Sequence, residues 1–221
     1  MSKECPDTQT SALPVSASSP RQCGQRRCPA TSLSERHLSG TGRSLAHGRR
    51  LTRFHPVPNL VTIGVYGFTA ATFLQALEHA DVRLLLDVRQ RRGVRGSQYA
   101  WANSVRLQRA LEDAGISYSH HKELAPTTEL RQLQYREDDR QGVGKRNRSQ
   151  LAPEYVERYT KEILDRVDLA PIVAAMPADA ASALFCVERD PEACHRSLIA
   201  ERLHERFGLS VEHALPPPAA G

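Results

Sequence analysis

Three short runs in this chain are apolar at consecutive positions rather than at alternate ones. They are Leu60-Val61-Thr62-Ile63-Gly64-Val65-Tyr66, Val82-Arg83-Leu84-Leu85-Leu86-Asp87-Val88 and Ala181-Ser182-Ala183-Leu184-Phe185-Cys186-Val187. A strand with one wet face alternates apolar and polar residues, so a continuous run asks for cover on both faces. Helical patterns separate the runs, and shorter strand candidates stand at Ile116 to Ser119 and Leu209 to His213. Strands alternating with helices predict an α/β fold, a single three-layer domain with a mostly parallel sheet.

The helices carry their own boundary signals. Thr69 is placed to cap a helix that presents Phe73, Leu74 and Leu77 and runs to Ala80. Asn103 can cap a second, with Val105, Leu107, Ala110 and Leu111 on its apolar side and Gly115 as its stop. Pro153 opens a third, through about Val167, with Tyr155, Val156, Tyr159, Ile163 and Leu164 on one side. Residues 170–176 add a short helical stretch, and residues 192–207 form a last helix ended by Gly208. Residues 122–150 are polar and charged, finish in a basic stretch from Arg140 to Arg148, and read as a long functional or mobile loop.

Residues 1–56 differ in composition from everything after them. They are rich in Ser, Pro, Gly, Thr and Arg without helical or strand period. Such a segment buries too little apolar surface to offset chain entropy, so a disordered basic leader is expected. The net charge of +5 belongs to it. Residues 1–55 hold nine Lys/Arg against three Asp/Glu, whereas residues 56–221 hold 21 against 22. That balance argues against a nucleic-acid-binding core and leaves only weak nucleic-acid contact through the tail. Cys23, Cys28, His37 and His47 have the spacing of no usual zinc finger. The domain is expected over 57–215, with a frayed Pro-rich end at 216–221. No apolar run approaches the ~18 residues of a membrane span. Five cysteines without an apolar export signal suggest a reducing, cytoplasmic setting.

The chemistry concentrates in Cys186-Val187-Glu188-Arg189-Asp190-Pro191-Glu192-Ala193-Cys194-His195-Arg196, where an apolar strand hands over to a helix. In α/β proteins that handover lies at the carboxyl edge of the sheet, where ligands bind. With Asp190 as cap and Pro191 as first helical residue, Cys194, His195 and Arg196 fall in the first turns. There the helix dipole, His195 and Arg196 favour thiolate. Cys186 and Cys194 are then a dithiol pair, a nucleophile with its resolving thiol, or two ligands of a soft metal. Adjacent Cys194 and His195 on a helix diverge by about 100°, which makes joint ligation awkward, and no metal site is assigned. A second group, Asp87-Val88-Arg89, ends the second strand, with Gly64 and Tyr66 beside it at the end of the first.

These segments resemble an uncharacterised family, domain of unknown function 488. The likeness is carried by Thr62-Ile63-Gly64-Val65-Tyr66-Gly67-Phe68-Thr69, by Leu85-Leu86-Asp87-Val88-Arg89, and by Gly115-Ile116-Ser117-Tyr118 ahead of His121 to Leu124. The most specific match is Cys186-x-Glu188 followed by Cys194-His195-Arg196-Ser197-Leu198-Ile199-Ala200. The resemblance spans about residues 60–213 and implies an α/β fold with an unassigned activity. The loop after Arg89 and Leu124-Ala125-Pro126 depart from the family pattern, both beside the expected cleft.

Three functions follow. The first is a thiol-dependent enzyme on a small anionic or nucleotide-like substrate. Its catalytic groups would be Cys194, His195, Glu188, Cys186 and Asp87, and Arg196, Arg89, Tyr66 and Gly64 would bind substrate. The second is a metal-binding module using Cys186, Cys194 and His195. The third is a nucleic-acid-associated protein using the tail. The sequence holds no Walker loop, dinucleotide fingerprint, paired CxxC motif or phosphatase-type Cys-x5-Arg spacing. No cofactor is specified.

Overall fold

The computed structural model describes residues 60–218. The expected leader over 1–56, with its four Cys and His positions, and the final residues 219–221 lie outside the described residues.

Five strands form one sheet: β1 (Leu60–Ile63), β2 (Val82–Asp87), β3 (Ser117–His120), β4 (Ala181–Phe185) and β5 (Val211–Ala214). Their order is β3-β2-β4-β1-β5, and every neighbouring pair is parallel. The three apolar runs are the three inner strands, which explains why they are continuous. β1 and β4 are buried at every position.

Side-chain alternation along the strands divides the interior into two cores. On one face Ile63, Leu85 and Phe185 pack against Phe73 and Leu77 of α1 (Ala70–His79) and Leu107 and Leu111 of α2 (Ser104–Asp113). On the other, Leu84, Leu86 and Leu184 meet the remaining helices. These are α3 (Thr128–Gln141), α4 (Pro153–Tyr159), α5 (Ala170–Ala174) and α6 (His195–Phe207). The three layers are therefore α/β/α, as the patterns predict. Among the described residues no helix is long and apolar enough to cross a membrane.

Local signals hold at some places and give way at others. Thr69 caps α1 through a reciprocal pair with Thr72. Asn103 stands at the cap of α2, but its side chain accepts from Val94 N at 2.7 Å and so ties down the loop after β2 instead. The stretch 122–150 is not a loop. It contains the fourteen-residue α3, capped by Thr127 and closed by Gly142 in the left-handed conformation. Beyond α4 the chain widens into a π-helical turn over Thr160–Leu164.

The helices after β2 and β4 leave for opposite faces of the sheet. Adjacent strands whose connections part in this way open a crevice at their carboxyl ends. The loops following β2 and β4 both border it.

Candidate metal centre

The last strand residue of the β4 run, Phe185, is followed by Cys186, whose backbone N donates to Ile63 O at 3.1 Å. The chain then crosses the end of β1. Val187 O accepts from both Val65 N and Tyr66 N, at 3.1 and 3.0 Å. This close passage depends on Gly64, because a Cβ there would stand 1.9 Å from Glu188 O. Gly64 thus supports the loop rather than contacting the crevice. Gly64→Ala must push the Glu188 backbone away, and overpacking of this kind costs about 1–3 kcal/mol. A lowered urea midpoint for this variant, with β4 and α6 otherwise intact, is the expected result.

The handover to α6 differs from the expected one. Pro191 opens a separate 3-10 turn over Pro191–Ala193, and Cys194 follows it in extended conformation, φ −138° and ψ 138°. Cys194 is the residue before the helix, and His195 is the first within it. The angular objection to joint ligation therefore falls away, because the two side chains do not both radiate from a helix.

What results is a buried cluster. One ligand atom each from Cys186, Cys194 and His195 lies within 4.8 Å of the others. His195 Nδ1 stands 3.8 Å from Cys186 Sγ and 3.9 Å from Cys194 Sγ. Its other nitrogen, Nε2, lies 3.1 Å from Val88 O. A carbonyl can only accept, so Nε2 carries a proton. In the neutral ring Nδ1 then presents a lone pair toward both sulfurs. Tyr159 backs the imidazole at 5.5 Å between ring centres and is itself fixed by donating to Leu124 O at 2.6 Å.

Glu188 extends the cluster on one side: the Cys186 thiol donates to its Oε2 at 3.4 Å. Lys145 and Arg148 face its other oxygen at 3.5 and 3.9 Å. Burial raises Cys186 well above the usual thiol range, and Cys194 and Glu188 raise it further. Burial also works upward on Cys194, but the Cys186 hydrogen bond, Arg196 and His195 outweigh it and bring this thiol well below its ordinary value. Burial likewise opposes charge on His195, yet the neighbouring Cys194 sulfur and Glu188 raise the imidazole overall. Without a bound ion the cluster therefore favours a thiolate at Cys194, a thiol at Cys186 and added proton affinity at His195.

The cluster forms the floor of a cleft of about 640 Å³. Arg89 to Arg95 after β2 make one wall, and α3 with residues 145–151 makes another. Cys186, Glu188, Cys194, His195, Arg89 and Tyr66 all border it, so three segments distant in sequence share one hollow. Asp87, Gly64 and Arg196 do not border it. Arg196 is fully buried and donates to Glu188 O and Arg189 O at 2.7 and 2.8 Å, which holds the loop above the cluster. Asp87 is fully buried beneath Arg89 and accepts from its Nε and Nη2 at 2.8 and 2.7 Å. These groups shape the walls: Asp87 is taken up by Arg89 and Tyr118, and Arg196 by the loop carbonyls its two terminal nitrogens hold.

Other lining residues lacked an apolar signal. Arg131, Gln134 and Tyr135 sit on α3, and Arg148 is anchored by Asp138 of the same helix. Tyr66 stacks at a tilt on Tyr99, 5.1 Å between centres, with Arg146 over both rings.

A family model described as domain of unknown function DUF488 matches residues 69–203, which include the cluster and both cleft walls. No curated protein and no solved structure matches the chain.

Proposed function

The chain belongs to the DUF488 family, and from that premise we propose that it is a metal-binding protein whose ligands are Cys186, Cys194 and His195. The observation that carries this reading is the convergence of two sulfurs on His195 Nδ1, at 3.8 and 3.9 Å, while Nε2 is engaged by the Val88 carbonyl. An ion about 2.3 Å from sulfur and 2.0–2.1 Å from nitrogen in tetrahedral geometry sets such atoms roughly 3.6 Å apart. Both nitrogen–sulfur distances are within a few tenths of an ångström of that spacing. The Val88 carbonyl supplies the outer hydrogen bond that fixes a ligating histidine.

Burial points the same way. Cys194 is 1% exposed and Cys186 3%, which suits ligation better than attack on a substrate from solvent. A thiolate removed from water also calls for a compensating cation. Two thiolates and an imidazole select zinc or another thiophilic transition metal over magnesium or calcium. Three protein ligands leave a fourth position for water or a ligand entering from the cleft, the pattern of reactive rather than purely structural zinc sites. Unpaired ligating thiols suit a reducing, cytoplasmic environment.

Titration of reduced full-length protein with Co²⁺ tests the proposal. Thiolate-to-cobalt absorption should saturate at one ion per chain and disappear on competition with Zn²⁺. Absence of that band, or its persistence in a Cys186→Ser/Cys194→Ser variant, would overturn it.

A further inference from the structure

The charges around the cleft do not balance. Among the described residues six Arg or Lys side chains border it, and Glu188 is the sole Asp or Glu that does. Three of the cations are matched. Arg89 pairs with Asp87, Arg148 with Asp138, and Lys145 lies 3.5 Å from Glu188. The other three, Arg91, Arg95 and Arg131, have no acidic partner among the described residues. Arg91 and Arg95 are exposed on the loop after β2, and Arg131 is half-buried on α3, across the cleft.

Arg131 also carries an unmet hydrogen bond. Its Nη2 donates to Thr128 Oγ1 at 3.1 Å, but its Nε is shut from solvent and has no acceptor among the described residues. A nitrogen closed to water is closed to a ligand oxygen as well, so an anion in the cleft would meet the Nη groups of Arg131, which have no acidic partner among the described residues.

The metal centre would not absorb the excess positive charge. A divalent ion with two thiolates and a neutral imidazole sums to zero, so the three arginines remain free for a ligand. A single inorganic ion fills only a small part of this hollow, whose volume lies within the range of roughly 300–1,000 Å³ typical for small organic molecules. We propose that the cleft binds an organic phosphate monoester, its phosphoryl group held between Arg91, Arg95 and Arg131. A dianion with three equivalent oxygens answers guanidinium forks from two walls better than a monoanionic carboxylate does. The three unpaired arginines, drawn from two walls of one cleft, carry this inference independently of the metal.

Calorimetric titration of the full chain with phenyl phosphate, inorganic phosphate and benzoate, each with and without one equivalent of Zn²⁺, provides the test. Phenyl phosphate should bind at least tenfold more tightly than either of the others. Arg131→Gln, and separately Arg91→Gln/Arg95→Gln, should each weaken it at least tenfold, with zinc uptake unchanged. Equal affinity for benzoate, or affinity untouched by both sets of arginine substitutions, would overturn the proposal. So would binding that appears only with zinc and ignores the arginines. Phenyl phosphate binding by a chain that takes up no metal would leave this assignment standing and remove the one before it.

Discussion

Asp87→Ala is expected to lower the stability of the fold by about 3–5 kcal/mol, among the largest effects of any single substitution. The reason lies in what the carboxylate holds. Its Oδ1 accepts from Arg89 N at 3.0 Å and Arg89 Nε at 2.8 Å, and its Oδ2 from Arg89 Nη2 and the Tyr118 hydroxyl, both at 2.7 Å. Burial, followed by the carboxylate itself, pushes the Tyr118 phenol up to about 12, so this hydroxyl stays a donor. Arg89 is 2% exposed, lies 4.5 Å from the centre of the Phe185 ring, and donates its Nη1 to Ala102 O at 2.9 Å. Deleting the carboxylate strands this guanidinium without its countercharge, and breaking a buried pair on one side costs about 3–5 kcal/mol. Urea denaturation should show the loss. Asp87→Asn/Arg89→Met should recover much of it, because replacing both members removes the stranded charge. A loss under 1 kcal/mol for Asp87→Ala would mean that Arg89 finds water or another partner.

The same pair shows where sequence stops being informative. That Asp87 and Arg89 end a strand at the carboxyl edge follows from the run Leu84-Leu85-Leu86 and from alternation. That they bond to each other and to Tyr118, leaving Arg89 bent over Phe185, depends on β3 and β4 lying on either side of β2. Strand order is a long-range property that no local pattern encodes. The buried strands were legible because each is covered on both faces. α3 was hidden for a related reason. Its inward side carries Leu130 and Leu133 but also Gln134 and Asp138, which are buried only because Ala152 N and Arg148 meet them. A polar stripe satisfied by distant partners looks like solvent-facing sequence. Thr127 and Gly142, its cap and stop, were the available signals.

The cysteine cluster falls between these cases. Its members and their position at a strand-to-helix transition could be read from the residues, whereas the break at Cys194 could not. Asp190-Pro191 is a good helix start by local rules, and the chain does turn there, but only for the single 3-10 turn Pro191–Ala193. Extended Cys194 then resets the direction before α6. That reset brings both sulfurs to the same nitrogen, so the departure from local preference falls at the site itself.

Cys194→Ala is expected to weaken metal binding roughly a thousandfold. Structural zinc sites gain about 10–16 kcal/mol at neutral pH from their full ligand set. A third of that is about 3–5 kcal/mol, the share of one ligand among three. Binding should also release protons, and the directions already described fix how many. Cys194 is brought well below the thiol range and is ionised before the metal arrives. Cys186, raised by burial and its neighbours, must give up its proton on ligation. His195 sits above its ordinary value, the Cys194 sulfur and Glu188 overcoming its burial, so in mild acid it too must lose one. Each ion bound should therefore release about two protons below the His195 titration and about one above it. Because protons compete for the same atoms, affinity must rise with pH. Zinc titrations in buffers of different ionisation enthalpy count the released protons directly. Release of none across this range, or affinity indifferent to acid, would place the ion on groups other than these sulfurs and this imidazole.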